Sequence, residues 1–167
     1  PYAKTKLEDE LLAEKYSEMG VHIIGLRYFN IFGRRQSKEY AGVIKLFLEK
    51  IQQNKAPIIN GDGSQTRDFV YIEDVVKANI LAMDSNIKYK FLNVGTGFSI
   101  SILDLANVCI EASGLSLKPV HGPQLPGDIL DSKADLELIK KSLEWKPITK
   151  LEDWLVQVIS SRNFTDI

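Results

Sequence analysis

Val21-His22-Ile23-Ile24-Gly25-Leu26-Arg27-Tyr28-Phe29-Asn30-Ile31-Phe32-Gly33 is an apolar, β-branched run that changes character at an arginine and an asparagine and stops at a glycine. Val21–Leu26 reads as a buried strand, and Arg27–Gly33 as the segment it runs into. On the amino-terminal side, residues 2–19 carry Leu7, Leu11, Leu12 and Tyr16 close to helical spacing, with Gly20 as a stop. A helix handed to a buried strand is the repeating unit of an α/β protein.

The alternation continues downstream. Residues 43–53 read as a helix, ended by Asn54 and by Ala56 before Pro57. Residues 57–60 predict a brief strand, and Gly61-Asp62-Gly63 a turn. A strand at 69–72 leads to a helix at 73–83 with acidic residues in its first turn. Another strand, 91–94, closes at Gly95-Thr96-Gly97. Ser101 caps a helix running to Ala112, with Asp104 in the acidic position of a capping box. A strand over 118–121 and helices over 135–143 and 151–160, separated by Trp145-Lys146-Pro147, complete the chain. No repeat, low-complexity tract or Gly/Ser linker divides it.

The 167 residues fit one domain or a large part of one and can bury a sizeable core. With 21 basic and 22 acidic residues, bulk electrostatics exclude a nucleic-acid or membrane-surface partner, while a few arginines suffice for a local anionic substrate. Cys109 is the single cysteine, so no internal disulfide forms; it reads as a small core residue in a reducing compartment. With no apolar run of membrane-spanning length and no signal peptide, the expectation is a soluble, cytoplasmic protein. The first residue is proline, from which a start inside a longer natural chain is expected. His22 and His121 lack companions at metal-ligand spacing, so no metal is expected. Trp145 and Trp154 read as core aromatics.

Three segments carry candidate chemistry. Tyr2 and Lys6 stand at i and i+4 and share a helix face. A neighbouring cation favours phenolate, which would make Tyr2 a general base and leave Lys6 able to bond a cofactor ribose. A surface position with a snorkelling lysine is the other reading of this pair. Asn30 ends an apolar strand, where ligands collect in open α/β sheets, or else holds a turn. Arg67 follows the two-glycine turn and precedes a strand, where a guanidinium can clamp phosphate; alternatively Arg67 and Asp68 are a solvated charge pair.

Taken in order, Pro1-Tyr2-Ala3-Lys4-Thr5-Lys6, Leu26–Gly33, Gly61–Phe69, Asn93-Val94-Gly95, Pro126-Gly127-Asp128, Ser132-Lys133-Ala134-Asp135 and Leu143-Glu144-Trp145-Lys146-Pro147 resemble the extended short-chain dehydrogenase/reductase family, and within it the nucleotide-sugar 4-epimerases. The resemblance covers nearly the whole chain and implies the carboxyl-terminal part of that fold. Residues 1–33 would be the end of the NAD-binding Rossmann domain, and 34–167 mainly the smaller α/β substrate domain, with segments returning to the Rossmann sheet. The glycine-rich NAD loop, the adenosine-ribose acid and a catalytic Ser/Thr would lie upstream, and Gly95-Thr96-Gly97 lacks the spacing to replace that loop.

The resemblance further implies Tyr2 as acid/base, Lys6 as its electrostatic partner and ribose contact, and Phe29 beside the nicotinamide. Asn30 would contact the diphosphate or sugar, Val43 would cover the base, Asn60 would approach uracil or ribose, and Arg67 would hold the diphosphate. The implied reaction is NAD-dependent epimerisation at C4 of a UDP-sugar through a 4-keto intermediate. The alternatives are a 4,6-dehydratase, a UDP-glucuronate decarboxylase, or a non-catalytic dinucleotide-binding relative. The helix bearing Tyr2 and Lys6 would also form a homodimer seam. Two positions depart from the family pattern: Leu125 where a second diphosphate arginine is usual, and Glu144 where glycine is usual.

Overall fold

The computed structural model describes residues 2–36, 42–162 and 164. Pro1, which opens the first of the motifs quoted above, lies outside the described residues. In chain order the elements are α1 (Tyr2–Glu18), β1 (Ile23–Tyr28), β2 (Asn30–Phe32), α2 (Val43–Gln52), β3 (Ile58–Asn60), β4 (Thr66–Arg67) and β5 (Phe69–Tyr71). There follow α3 (Ile72–Met83), β6 (Tyr89–Val94), β7 (Ile100–Ser101), α4 (Ile102–Ser113), β8 (Val120–Gly122), α5 (Glu137–Leu143) and α6 (Leu151–Ser160). The fold is α/β, as the sequence pattern predicts. Strands pair as β1–β6, β2–β5 and β3–β8 in parallel and β4–β7 antiparallel. Parallel partners distant in sequence are joined by helical crossovers.

The extended chain from Ile23 to Phe32 changes partner midway. It runs beside β6 until the Phe29 amide donates to Val94 O at 3.0 Å, and the Asn30 amide then donates to Asp68 O at 3.0 Å as the chain joins β5. Strands that part in this way leave a fork at their carboxyl ends. The short pair β2–β5 then separates two hydrophobic clusters, because successive side chains of a strand point to opposite faces. Phe32 and Phe69 enter a cluster built by α2, α4 and α6 around Phe47, Leu105, Trp154 and Leu155. Ile31 and Val70 serve the other, built by α3, α5 and β6 around Ala78, Leu92, Ile139 and Trp145. Both tryptophans and Cys109 are core residues, as their apolar surroundings predict.

Local sequence signals account for many boundaries. Ser101 Oγ accepts the Asp104 amide at 2.9 Å and donates to its carboxylate at 2.6 Å, capping α4. Gly61 and Gly63 adopt φ of 71° and 79°, so the predicted turn uses the conformational freedom of glycine. Glu144 closes α5 at φ 52°, the left-handed geometry that explains why glycine is usual there.

One expectation needs correction. The run at 21–26 is not a fully buried strand: β1 begins at Ile23, is half-buried, and ends in exposed Arg27 and Tyr28. The reason is its position, since among the described residues β1 pairs with β6 alone, and only Ile24 and Leu26 pack against a core. The apolar residues of α1 join neither cluster of the described chain, and the helix has no buried residue.

Asp74, in the first turn of α3, does more than complement a helix dipole. It is fully buried; its carboxylate accepts the Ile148 and Thr149 amides at 3.1 and 2.9 Å, and its backbone carbonyl accepts Trp145 Nε1 at 3.0 Å. This anchors the Trp145–Thr149 connection against α3 and sets the approach of α6.

Candidate active site

Tyr2 and Lys6 occupy the first turns of α1, with the Lys6 ammonium 5.9 Å from the Tyr2 ring centroid. They therefore share a face, as their spacing predicts, and both are open to solvent, Tyr2 being 76% exposed. Lys6 Nζ also donates to Asp9 at 2.8 Å, and this hydrogen bond raises the lysine pKa above its ordinary value. The ammonium is thus held charged.

The fork holds Phe29 and Asn30. Phe29 is half-buried against the cluster of Leu92 and Val94, whereas Asn30 is exposed at the start of β2. Asp68, beside Asn30, is fully buried rather than solvated. Its Oδ1 accepts the Thr96 amide at 2.8 Å and the Thr96 hydroxyl at 2.7 Å; Oδ2 accepts the amides of Gly97 and Ala134 at 2.9 and 3.0 Å. One carboxylate thereby staples the start of β5 to the turn after β6 and to the segment before α5. It also takes up the amides of Thr96 and Gly97, which are then not free to cradle a phosphate.

Arg67 is part-buried beneath the Pro126-Gly127-Asp128 loop. Its guanidinium forms an ion pair with Asp128 and donates to the carbonyls of Thr66 and Ile129. Thr66 extends the attachment, its hydroxyl bonding Asp131 and its amide donating to Leu130 O at 2.9 Å. The loop frames a cleft of about 320 Å³ lined by Asn60, Asp62, Ser64, Gln65, Gln124 and Asp128. Gln65 Nε2 donates to Asn60 O at 3.0 Å, and His121 Nδ1 lies 2.8 Å from Gly61 O. The lining offers amide and carboxylate acceptors suited to hydroxyls and a base edge. The Ser64 amide and hydroxyl hold the Asp62 carboxyl below its usual range. Val43 opens α2 and packs against the cluster containing Ile59 of β3.

Asn60 thus stands at the cleft, Arg67 reaches its rim through Asp128, and Asn30 adjoins Asp68 at the fork. Tyr2 and Lys6 lie apart from these: among the described residues no hydrogen bond, ion pair or ring contact joins them to Asn30, Val43, Asn60 or Arg67. From sequence, Asp68 was read only as a solvated partner of Arg67, Asp128 only as part of a motif, and Gln65 not at all. Asp128 alone had a local signal, the Pro-Gly-Asp motif. Among the described residues no cluster of His, Cys, Asp and Glu has metal-binding geometry, and no helix is long and apolar enough to cross a membrane.

Comparison with known proteins places this geometry in context. A UDP-glucose 4-epimerase from Thermotoga maritima, solved with UDP-glucose, superposes with a TM-score of 0.89 at 34% identity, over 97% of this chain and 53% of that one. A UDP-N-acetylglucosamine 4-epimerase from Methanobrevibacter ruminantium, in complex with UDP-N-acetylmuramic acid, gives 0.87 at 35%, over 97% and 54%. A UDP-N-acetyl-alpha-D-glucosaminuronate decarboxylase of Bacillus cytotoxicus is 33% identical over 95% of this chain and 51% of its own length. The chain spans about half the length of the relatives it matches and corresponds to their carboxyl-terminal portion. Residues 1–95 match the model of the NAD dependent epimerase/dehydratase family, and the chain belongs to that family.

Proposed function

We propose that this segment supplies the acid/base pair and the sugar-nucleotide site of an NAD-dependent enzyme that epimerises C4 of a UDP-sugar. The observation that carries the proposal is the shared, solvent-open face of Tyr2 and Lys6 at the head of α1. In this reading residues 1–33 belong to the cofactor domain and 34–167 mainly to the substrate domain. Tyr2 Oη takes the proton of the C4 hydroxyl and later returns it, while the Lys6 ammonium favours the phenolate. Bound NAD would accept and return the hydride, which is the cofactor's chemistry. Between the two transfers the 4-keto sugar presents its other face.

For the cofactor, Tyr2, Lys6 and Phe29 fit the ribose and nicotinamide end. The Gly95-Thr96-Gly97 turn cannot offer the amides of Thr96 and Gly97 to the pyrophosphate, because Asp68 occupies them. Asn60 and the acceptors of its cleft would take the uridine, with Val43 over the base. Arg67 and Asn30 would hold the diphosphate, and the α1 face would pack against a second copy. Decarboxylation of a UDP-uronate is the second reading, favoured by the Bacillus relative.

The test joins this segment to its cofactor-binding half and follows interconversion of UDP-sugars by chromatography. Tyr2→Phe is expected to abolish turnover while NAD stays bound, and normal turnover would remove Tyr2 from its role. The 167-residue chain alone is expected to be inactive, so steady turnover by it would overturn the division of labour.

A further inference from the structure

We propose that Gln65 is a positioning residue that sets the spacing between nucleoside and diphosphate; this rests on the reading that the Asn60 cleft takes uridine and Arg67 the diphosphate. The two-glycine turn doubles the chain back, so Gln65 comes to lie against Asn60, five positions before it. Its side-chain nitrogen donates to Asn60 O at 3.0 Å and to Asp128 Oδ2 at 3.4 Å. The other oxygen of that carboxylate, Asp128 Oδ1, pairs with Arg67 Nη2. One unbroken series of hydrogen bonds therefore runs Asn60–Gln65–Asp128–Arg67, from the wall of the cleft to the guanidinium at its rim.

The chemistry of each link fits that role. A primary amide carries N–H donors for two acceptors and no charge. Gln65 can thus bridge Asn60 and Asp128 while leaving the Asp128 charge to Arg67. Both neighbours of its nitrogen are acceptors, so only one orientation of the amide satisfies them and the bridge has a single form. The residue is also anchored through its backbone. Gln65 O accepts the Ile102 amide at 3.0 Å at the start of α4, and the adjoining Thr66 amide donates to Leu130 O at 2.9 Å. A ligand that joins a nucleoside to a diphosphate gains from both subsites only when their spacing matches its own, because the second contact is then made intramolecularly. A ligand that fills one subsite draws nothing from that spacing.

The experiment uses the full-length enzyme with bound NAD and measures binding of UDP, uridine and inorganic pyrophosphate by calorimetry at pH 8, in the parent, Gln65→Leu and Gln65→Glu. Gln65→Leu is expected to weaken UDP about 5- to 30-fold, while uridine and pyrophosphate each change by less than about threefold. KM for the UDP-sugar is expected to rise by a similar factor with kcat within about threefold, because both subsites are filled in ground and transition states alike. Gln65→Glu offers no donor and sets a second carboxylate beside Asp128, so it is expected to bind UDP no better than Gln65→Leu. UDP affinity within about threefold of the parent in both variants, recovery by Gln65→Glu, or a loss that uridine or pyrophosphate shares in full overturns the spacing role. Should Gln65→Leu fail to fold, Gln65→Glu decides with the same three ligands. Two further variants test the reading beneath: Gln124→Trp, which narrows the cleft, should weaken uridine, and Arg67→Gln should weaken pyrophosphate. If either leaves its ligand unchanged, the subsite assignment fails; if both act while the Gln65 variants bind UDP normally, only this inference fails.

Discussion

Replacing Asp68 tests how the fork is held together, and its two simplest substitutions should differ by a margin the geometry sets. Asp68→Ala leaves the amides of Thr96, Gly97 and Ala134 without their acceptor; the Thr96 hydroxyl retains Phe98 O at 3.0 Å. At about 1–3 kcal/mol per buried donor left unpaired, and with water reclaiming part, the cost is about 4–5 kcal/mol. In Asp68→Asn the amide oxygen can face Gly97 and Ala134 while the NH₂ donates to Thr96 Oγ1. Only the Thr96 amide is then stranded, and the loss is about 2–3 kcal/mol. With a urea dependence of about 2.5 kcal/mol per M, the unfolding midpoint should fall by about 1 M for Asn and nearly 2 M for Ala. Equilibrium urea unfolding followed by tryptophan fluorescence measures both. An Asn variant as stable as the parent, or an Ala variant no worse than Asn, would refute the four-donor account.

Other sites give independent checks. A Cβ at Gly95 would lie 2.6 Å from Ala134 Cβ and 3.0 Å from Asp68 Oδ2, so Gly95→Ala should cost about 1–3 kcal/mol by overpacking, and adding Ala134→Gly should recover much of it in thermal melts. Glu144→Gly relieves the left-handed backbone and should stabilise the protein by about 1 kcal/mol in the same assay. Burial pushes the Cys109 thiol up to about 12, so it should resist a thiol-specific chromogenic reagent at pH 8 until the protein unfolds. Because the folded pKa is the raised one, stability should also fall as pH climbs from about 9, where the unfolded thiol ionises, towards 12. Labelling of the native protein at the rate of a small thiol would count against a buried Cys109.

Much of the fold was legible because local chemistry wrote it. Leu151–Ser160 is a helix with the predicted bounds, Ser101 caps α4, and the turn of Gly61 and Gly63 lies where two glycines stand close together. The Tyr2–Lys6 face followed from a spacing of four. What stayed hidden was the destination of charged side chains. Asp68 and Asp74 looked like surface acids because acids are seldom fully buried, yet their partners lie 28 to 75 residues away and carry no local signature. Arg67 was noticed for its neighbours in sequence, but its partner Asp128 is visible only once the loop folds over β4.

The three-residue strands β2 and β5 give the molecule a particular indivisibility. β2 sends Phe32 to the Trp154 cluster and Ile31 to the Trp145 cluster, and β5 sends Phe69 and Tyr71 to the first and Val70 to the second, so neither interior is closed on that side without both strands. A chimaera built by joining relatives at the loop after Gly33 would inherit β2 from one parent and β5 from the other. Ile31 and Phe32 must then meet Phe69, Val70 and Tyr71 across a foreign seam. Recombination that respects this structure must move the two strands as one heritable unit, although 36 residues of chain lie between Phe32 and Phe69.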